Sequence, residues 1–334
     1  MRFLLLLLIT SQLAPAQEPI KPGKAVDVSG VAFYPERWKN AGHQLNLVPW
    51  TGKQIVFLTV GDSHDAKTMT TFLGHLDAGW QLYAEVTGRK PRLHKAVNGM
   101  PTIAAVPGGG LTCGYGCGYV GATGIEMTNF YNGHLPALTK DPSAVPHAYF
   151  YEMGRNYFTF PRRHDCFTTG FAVFMRYVCV DHLKLTDNDK RTRAIIDKAI
   201  EQYEQSDLPF LRTFTNTYGL SEKQNRLKTS PTDQPVMYAS AMLKLHRELG
   251  HDWLKAFFRQ LATCPTTNPK SKEGSQQQCF YWLLAASCAA KKDLSDIFVT
   301  KWRLKLTEEQ SALLKTVEWN AEALQAGDLF KKDS

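Results

Sequence analysis

Apolar residues in the first hundred positions follow two different rhythms. Gln54 to Val60, QIVFLTV, is a short apolar run rich in β-branched residues, the pattern of a buried strand. From Ala66 to Gly88 the chain instead places Phe72, Leu73, Leu76, Trp80 and Tyr83 three or four apart, which makes one face of a helix apolar; Gly88, with Pro91 behind it, ends that helix. PTIAAVP, Pro101 to Pro107, reads as a second strand. Both rhythms fail between Gly108 and Met127, where eight glycines in twenty residues imply unusual backbone angles or close approach of another group. Past residue 140 the helical period dominates, with helices predicted over roughly 144–157, 168–183, 187–205, 236–249, 251–262, 277–291 and 308–326. The pattern predicts an α+β protein: an α/β subdomain over 17–140 with a mixed sheet and a Gly-rich cleft loop, then a mainly helical subdomain over 141–330. There is no internal repeat and no low-complexity segment.

The extreme N-terminus has a different use. Arg2, the apolar FLLLLLIT and Ala14-Pro15-Ala16 form the positive, hydrophobic and small-residue parts of a cleaved secretory signal over 1–16, which places the remaining 318 residues outside the cytoplasm, secreted or periplasmic. That apolar run is too short to span a bilayer and no other stretch is long enough, so no membrane span is expected. The net charge of +8 is spread in short clusters such as Arg162-Arg163 and Lys331-Lys332. Such a surface suits acidic glycans and does not suggest nucleic-acid binding. Nothing in the sequence reads out an oligomeric state.

An oxidising compartment makes disulfides the expected fate of cysteine, and the chain has seven: Cys113, Cys117, Cys166, Cys179, Cys264, Cys279 and Cys288. Cys113 and Cys117 enclose only GYG and are the first candidate bridge; Cys264 and Cys279, at the ends of a polar loop, are the second. No second C-x-x-x-C pair completes a cysteine zinc site.

Candidate chemistry centres on YFYEMGRNYF, Tyr149 to Phe158. A zinc peptidase helix carries H-E-x-x-H, two imidazoles one turn apart with a glutamate base between them, and takes a third ligand from the next helix. Here Glu152 is in place, while the i and i+4 positions are Tyr151 and Arg155. In TTGFAVFMRY, Thr169 stands where the next helix's glutamate would be. Upstream lies a Gly-rich segment, CGYGCGYVGATGIEM, placed as an edge strand lining a cleft would be, and downstream YASAMLKLHRELGHDWLKAFFRQL and FYWLLAASCAAKKDLSDIFVTKWRLKL are helical. Over roughly residues 45 to 310 this layout resembles the zincin metallopeptidase superfamily, gluzincin-like, and is similar to the enhancin-like glycoprotein-directed peptidases. The resemblance implies a zincin-like α+β fold and a substrate cleft between the Gly-rich segment and the Glu152 helix. With all three ligand positions substituted, neither a metal nor another cofactor is expected.

Arginine has five N–H donors and no lone pair, so Arg155 cannot ligate a cation. Two readings of it stay open: an i, i+3 ion pair with Glu152, or a fixed charge standing where the metal stood and facing an anionic substrate group. Tyr151 and Thr169 then line an emptied pocket. Tyr119 and Gly121 in the Gly-rich loop, and His164 and Asp165 in the loop between the two helices, complete the substrate-binding candidates. His147, four residues before Tyr151, makes at best a weak metal pair with it. His246, His251, Trp253, Tyr281 and Trp282 fall at helical spacings that suit surface or core roles.

The expected function is binding of peptides or glycoproteins, or of an acidic glycan, without zinc catalysis. The alternative is a metal-independent, glycan-directed hydrolase in which Glu126 and Glu152 face each other across the cleft as paired carboxylates. An active metallopeptidase with other ligands is the third reading.

Overall fold

The computed structural model describes residues 18–160, 165–215, 233–267 and 271–330; the secretory leader expected over 1–16 lies outside them. The strands are β1 Val26–Asp27, β2 Asn46–Thr51, β3 Val56–Thr59, β4 Ala96–Val97, β5 Met100–Ala105, β6 Gly116–Gly118 and β7 Ile125–Met127. The helices are α1 Pro35–Asn40, α2 Ala66–Thr87, α3 Leu135–Lys140, α4 His147–Tyr157, α5 Asp165–His182, α6 Lys190–Glu204, α7 Phe210–Phe214, α8 Gln234–Thr263, α9 Lys272–Ala290 and α10 Glu308–Thr316. The fold is therefore α+β, as the pattern predicts. Among the described residues no helix is long and apolar enough to cross a membrane.

One mixed sheet runs in the order β1-β2-β3-β5-β7-β6, with β4 beside β5. β3, β5 and β7 are parallel, and β6 closes one edge antiparallel to β7. The Gly-rich segment therefore supplies the edge strand through its GCG stretch, while IEM at its end forms an inner strand. The chain from Tyr115 to Thr128 doubles back, so GCG of β6 takes the edge and Ile125–Met127 is enclosed between β5 and β6.

Side chains alternate across a pleated strand, and the register carries this alternation through the sheet. Phe57, Ile103 and Ile125 lie in one row facing the main core, which is built with α2, α4, α5, α8 and α9. Leu58, Ala104, Glu126 and Cys117 form the adjacent row on the opposite face, where a smaller core gathers around Trp38, Leu47 and Val56.

The long helices follow their apolar periods. Asp65 caps α2 by accepting the Thr68 N–H, and Gly88 ends it in the left-handed region at φ 64°. The two helices predicted around Gly250 form one element, α8, broken at that glycine, whose φ of 87° departs from the helix. The predicted tail helix is shorter than its pattern: α10 stops at Thr316 and Val317 is extended. Trp253, Tyr281 and Trp282 are buried in the main core.

Cys113 and Cys117 are bridged, with Cα atoms 5.7 Å apart. The second candidate bridge is not made: Cys264 and Cys279 are both buried and no bond joins them. Cys264 caps the end of α8 and its Sγ points back toward the Gln260 carbonyl at 3.7 Å, whereas Cys279 sits within α9.

Candidate functional site

Helix α4 begins after Pro146, whose extended backbone sets the helix start, and lies between the β6 edge and α5. Two close approaches place it there. At Gly154 a Cβ would come within 2.7 Å of the Ala172 Cα, so only glycine lets α5 pack this near. At Gly118 a Cβ would meet the Glu152 carbonyl oxygen at 2.8 Å and Oε2 at 2.9 Å; at Gly116 it would meet Oε1 at 2.8 Å and the Met127 sulfur at 2.7 Å. Spaced two apart, these glycines share one face of β6 and form a side-chain-free cradle for the Glu152 carboxyl. The last turn of α4 is tied to the same hairpin. Gly121 donates its N–H to the Arg155 carbonyl at 3.1 Å, and the Asn156 side-chain amide donates to the Tyr119 and Gly124 carbonyls at 2.9 and 3.2 Å.

Glu152 is only 7% exposed. Burial pushes its carboxyl up to about 7, against the downward pull of the Arg155 charge and the Gly118 N–H. Its proton is therefore exchangeable near neutral pH. The expected Arg155–Glu152 ion pair is not made; no contact between these two side chains joins the ion pairs among the described residues. Positions three apart project about 60° apart round a helix, and here that difference directs Glu152 to β6 and Arg155 to α5. Arg155 Nη1 donates to the Thr169 hydroxyl at 3.1 Å.

Tyr151 completes this group. Burial raises its phenol above the ordinary tyrosine range, opposed by the Arg155 and Arg176 charges and by the Thr169 hydroxyl that meets it, with Glu152 adding to the rise. The Arg176 guanidinium lies 6.0 Å from the centre of the Tyr151 ring. Tyr151, Arg155 and Thr169, the three positions singled out in the sequence, thus converge on one point beside Glu152. As a donor set they do not fit a divalent ion: an arginine stands at the centre and there is no imidazole or carboxylate among the three. Among the described residues no cluster of three or more His, Cys, Asp and Glu side chains is arranged to hold a metal.

The other candidates scatter. Glu126 is fully buried, but on the opposite face of the sheet from Glu152, since its row runs through Ala104 and Cys117 while Gly116 and Gly118 face α4. The two carboxylates do not face each other, and the paired-carboxylate hydrolase reading fails on the two-residue period of a strand. Glu126 Oε1 accepts the Phe33 N–H at 2.8 Å. Burial raises its carboxyl, opposed by Thr112, that N–H, Lys95 and Arg37. Tyr119 lies on the Glu126 side, its ring 4.3 Å from Phe33 and 4.7 Å from His94. Gly121 meets the end of α4 through its N–H. Asp165 opens α5 rather than lying in the preceding loop, and His164 is outside the described residues. His147 starts α4 with Nε2 3.6 Å from an Asp189 oxygen.

The sequence pattern missed a relay on the other side of α4. The exposed Tyr115 hydroxyl meets His134 Nε2 at 2.6 Å, and His134 Nδ1 meets the buried Tyr149 hydroxyl at 2.9 Å. Burial pushes His134 down to about 4, so it is neutral and donates at one nitrogen while accepting at the other. Nothing local in FYNGH marks this role. Gly116 and Gly118, by contrast, lie in the Gly-rich segment where close approach of another group is expected.

No family model and no curated protein matches the sequence. The fold is similar to two crystal structures of a functionally unknown conserved protein from Bacillus anthracis str. Ames. The first aligns at 11% identity and a TM-score of 0.56, covering 86% of this chain and 57% of that one. The second, a mutant, aligns at 12% identity and a TM-score of 0.54, covering 82% and 53%. The chain thus spans little more than half the length of these proteins. The M60 catalytic domain with the CBM51-1 and CBM51-2 domains from Clostridium perfringens ZmpB aligns over 90% of this chain and 30% of that one, at 14% identity and a TM-score of 0.47.

Proposed function

We propose that this is a secreted protein of zincin-like layout in which Tyr151, Arg155 and Thr169 occupy the place of the metal, and that its cleft binds peptides or glycoproteins without zinc catalysis. The observation that carries this reading is the convergence of those three side chains beside Glu152, with Arg155 bonded to Thr169 at 3.1 Å. That contact is what the packing of the two helices in the ligand pattern would bring about, and it supports the reading. In this reading the Arg155 guanidinium supplies a fixed positive charge for an acidic group of the partner, and protonated Glu152 donates a hydrogen bond where an active peptidase would use a base.

Metal content of the purified wild type and of the triple variant Tyr151→His, Arg155→His, Thr169→Glu, read by mass spectrometry, tests this. The expected result is no bound zinc in the wild type and close to one equivalent in the folded variant. Stoichiometric zinc in the wild type overturns the substituted site. A variant that folds and binds no zinc overturns the zincin-like layout.

A further inference from the structure

A second cavity of about 610 Å³ opens between α7, the first turns of α9 and the segment after Trp302. That is the size of a small-molecule site. Its floor is apolar, made by Pro209, Phe210 and Leu211, and four cations stand around it, Arg212, Lys272, Arg303 and Lys305, against the single carboxylate of Asp207. Among the described residues none of the four makes an ion pair with a carboxylate.

Two of these cations are built in. Arg303 is held by backbone carbonyls: its Nε donates to Leu208 at 3.3 Å, Nη1 to Lys301 at 3.2 Å and Nη2 to Tyr203 at 2.9 Å. Neutral carbonyls fix the guanidinium and leave its charge in place. Arg212 lines the cavity, and its buried Nε–H is met by no acceptor, so no bond at that nitrogen offsets its charge. Lys272 and Lys305 are exposed and can adjust to a bound head group.

We propose that this pocket binds an amphiphilic organic anion, a molecule with an apolar body of acyl or aryl type and a carboxylate, sulfate or sulfonate head. The apolar body covers the Phe210 floor and the head lies among the four cations. An inorganic anion would leave the floor wet, and an uncharged hydrocarbon would leave the four cations without a counter-charge.

The test is fluorescence titration of the full chain with 8-anilinonaphthalene-1-sulfonate and with N-phenyl-1-naphthylamine, which has the same rings and no sulfonate. The sulfonate is expected to bind at one equivalent and the neutral dye about tenfold more weakly, the size of one charge-assisted contact. Octanoate displaces the sulfonate dye, and inorganic sulfate at equal ionic strength does not. The Lys272→Gln, Lys305→Gln double variant, changed only at exposed positions, weakens the sulfonate by about tenfold without moving Tm, and Arg212→Gln does at least as much. Lys301→Gln, exposed and beside Asp296, leaves binding unchanged. Equal affinity for the two dyes, displacement by inorganic sulfate as effective as by octanoate, or wild-type binding by the double variant would each overturn the proposal.

Discussion

The hairpin from β6 to β7 has a buried glutamate on each face, and the two are buried for different ends. Glu126 accepts the Phe33 N–H from 93 residues away. Around it Lys95 Nζ holds the Gly30 carbonyl at 2.8 Å and Arg37 holds the Thr112 carbonyl at 3.4 Å. It is a fastener that gathers distant loops under the sheet. Glu152 has one N–H from Gly118 and an arginine whose guanidinium is bonded elsewhere. Each carboxylate thus takes one backbone N–H, and the buried Oε2 of Glu126 has no hydrogen-bond partner. Glu152 differs in that burial pushes its carboxyl up to about 7 and that it lies beside Tyr151, Arg155 and Thr169, the setting in which a functional group is sought first.

The largest expected effect tests the cradle on the Glu152 face. Gly118→Val forces a side chain against the Glu152 backbone, and should cost about 3 kcal/mol, roughly 6–12 °C in Tm. Gly114→Ala meets nothing nearer than the Gly116 oxygen at 3.8 Å and should stay within about 0.5 kcal/mol. Equal melting of both variants would remove the close approach as the reason for glycine at 118.

Next is the pH dependence. The Glu152 carboxyl sits near 7 in the fold against an ordinary 4.5, so the protonated form favours folding. Its contribution, about 3 kcal/mol, is complete below the ordinary value and is lost as pH rises through 7. Glu152→Gln should flatten the fall in Tm between pH 4.5 and 7.5, and Glu126→Gln should flatten it less. The reverse order would exchange the roles assigned to the two faces.

A smaller effect belongs to the Glu126 face. Replacing both Cys113 and Cys117 by Ser opens a short loop and should cost about 2 kcal/mol on the chain-entropy account, measured by denaturant unfolding. The least is Arg155→Gln. It should cost under about 1 kcal/mol at a part-exposed helix position and move the Glu152 titration upward, because the lowering charge is gone. A downward move in the same pH–Tm series would contradict the electrostatic assignment.

Legibility in the sequence followed element length. Helices α2, α4, α5, α8 and α9 each repeat their apolar spacing over several turns, so their existence was readable. The three residues of β6 and of β7 are too few to show a period, and their glycines carry no hydropathy signal. The direction of Glu126, and which stretch of the Gly-rich segment takes the edge, were consequently unreadable. The choice between the two readings of Arg155 was unreadable for another reason: i, i+3 spacing permits contact with Glu152, but the neighbours on either side of the helix decide which way each chain turns.

By itself the sequence determined the α+β class, the long helices, the Cys113–Cys117 bridge and the coincidence of Tyr151, Glu152, Arg155 and Thr169 with a known ligand pattern. Those are local facts, set by periodicity, short loops and residue type. Only the tertiary structure decided that Arg155 reaches Thr169, that Glu126 and Glu152 lie on opposite faces, and that four cations meet over an apolar floor. Each of these depends on strand register and on side chains brought together from far along the chain, information that no local window contains.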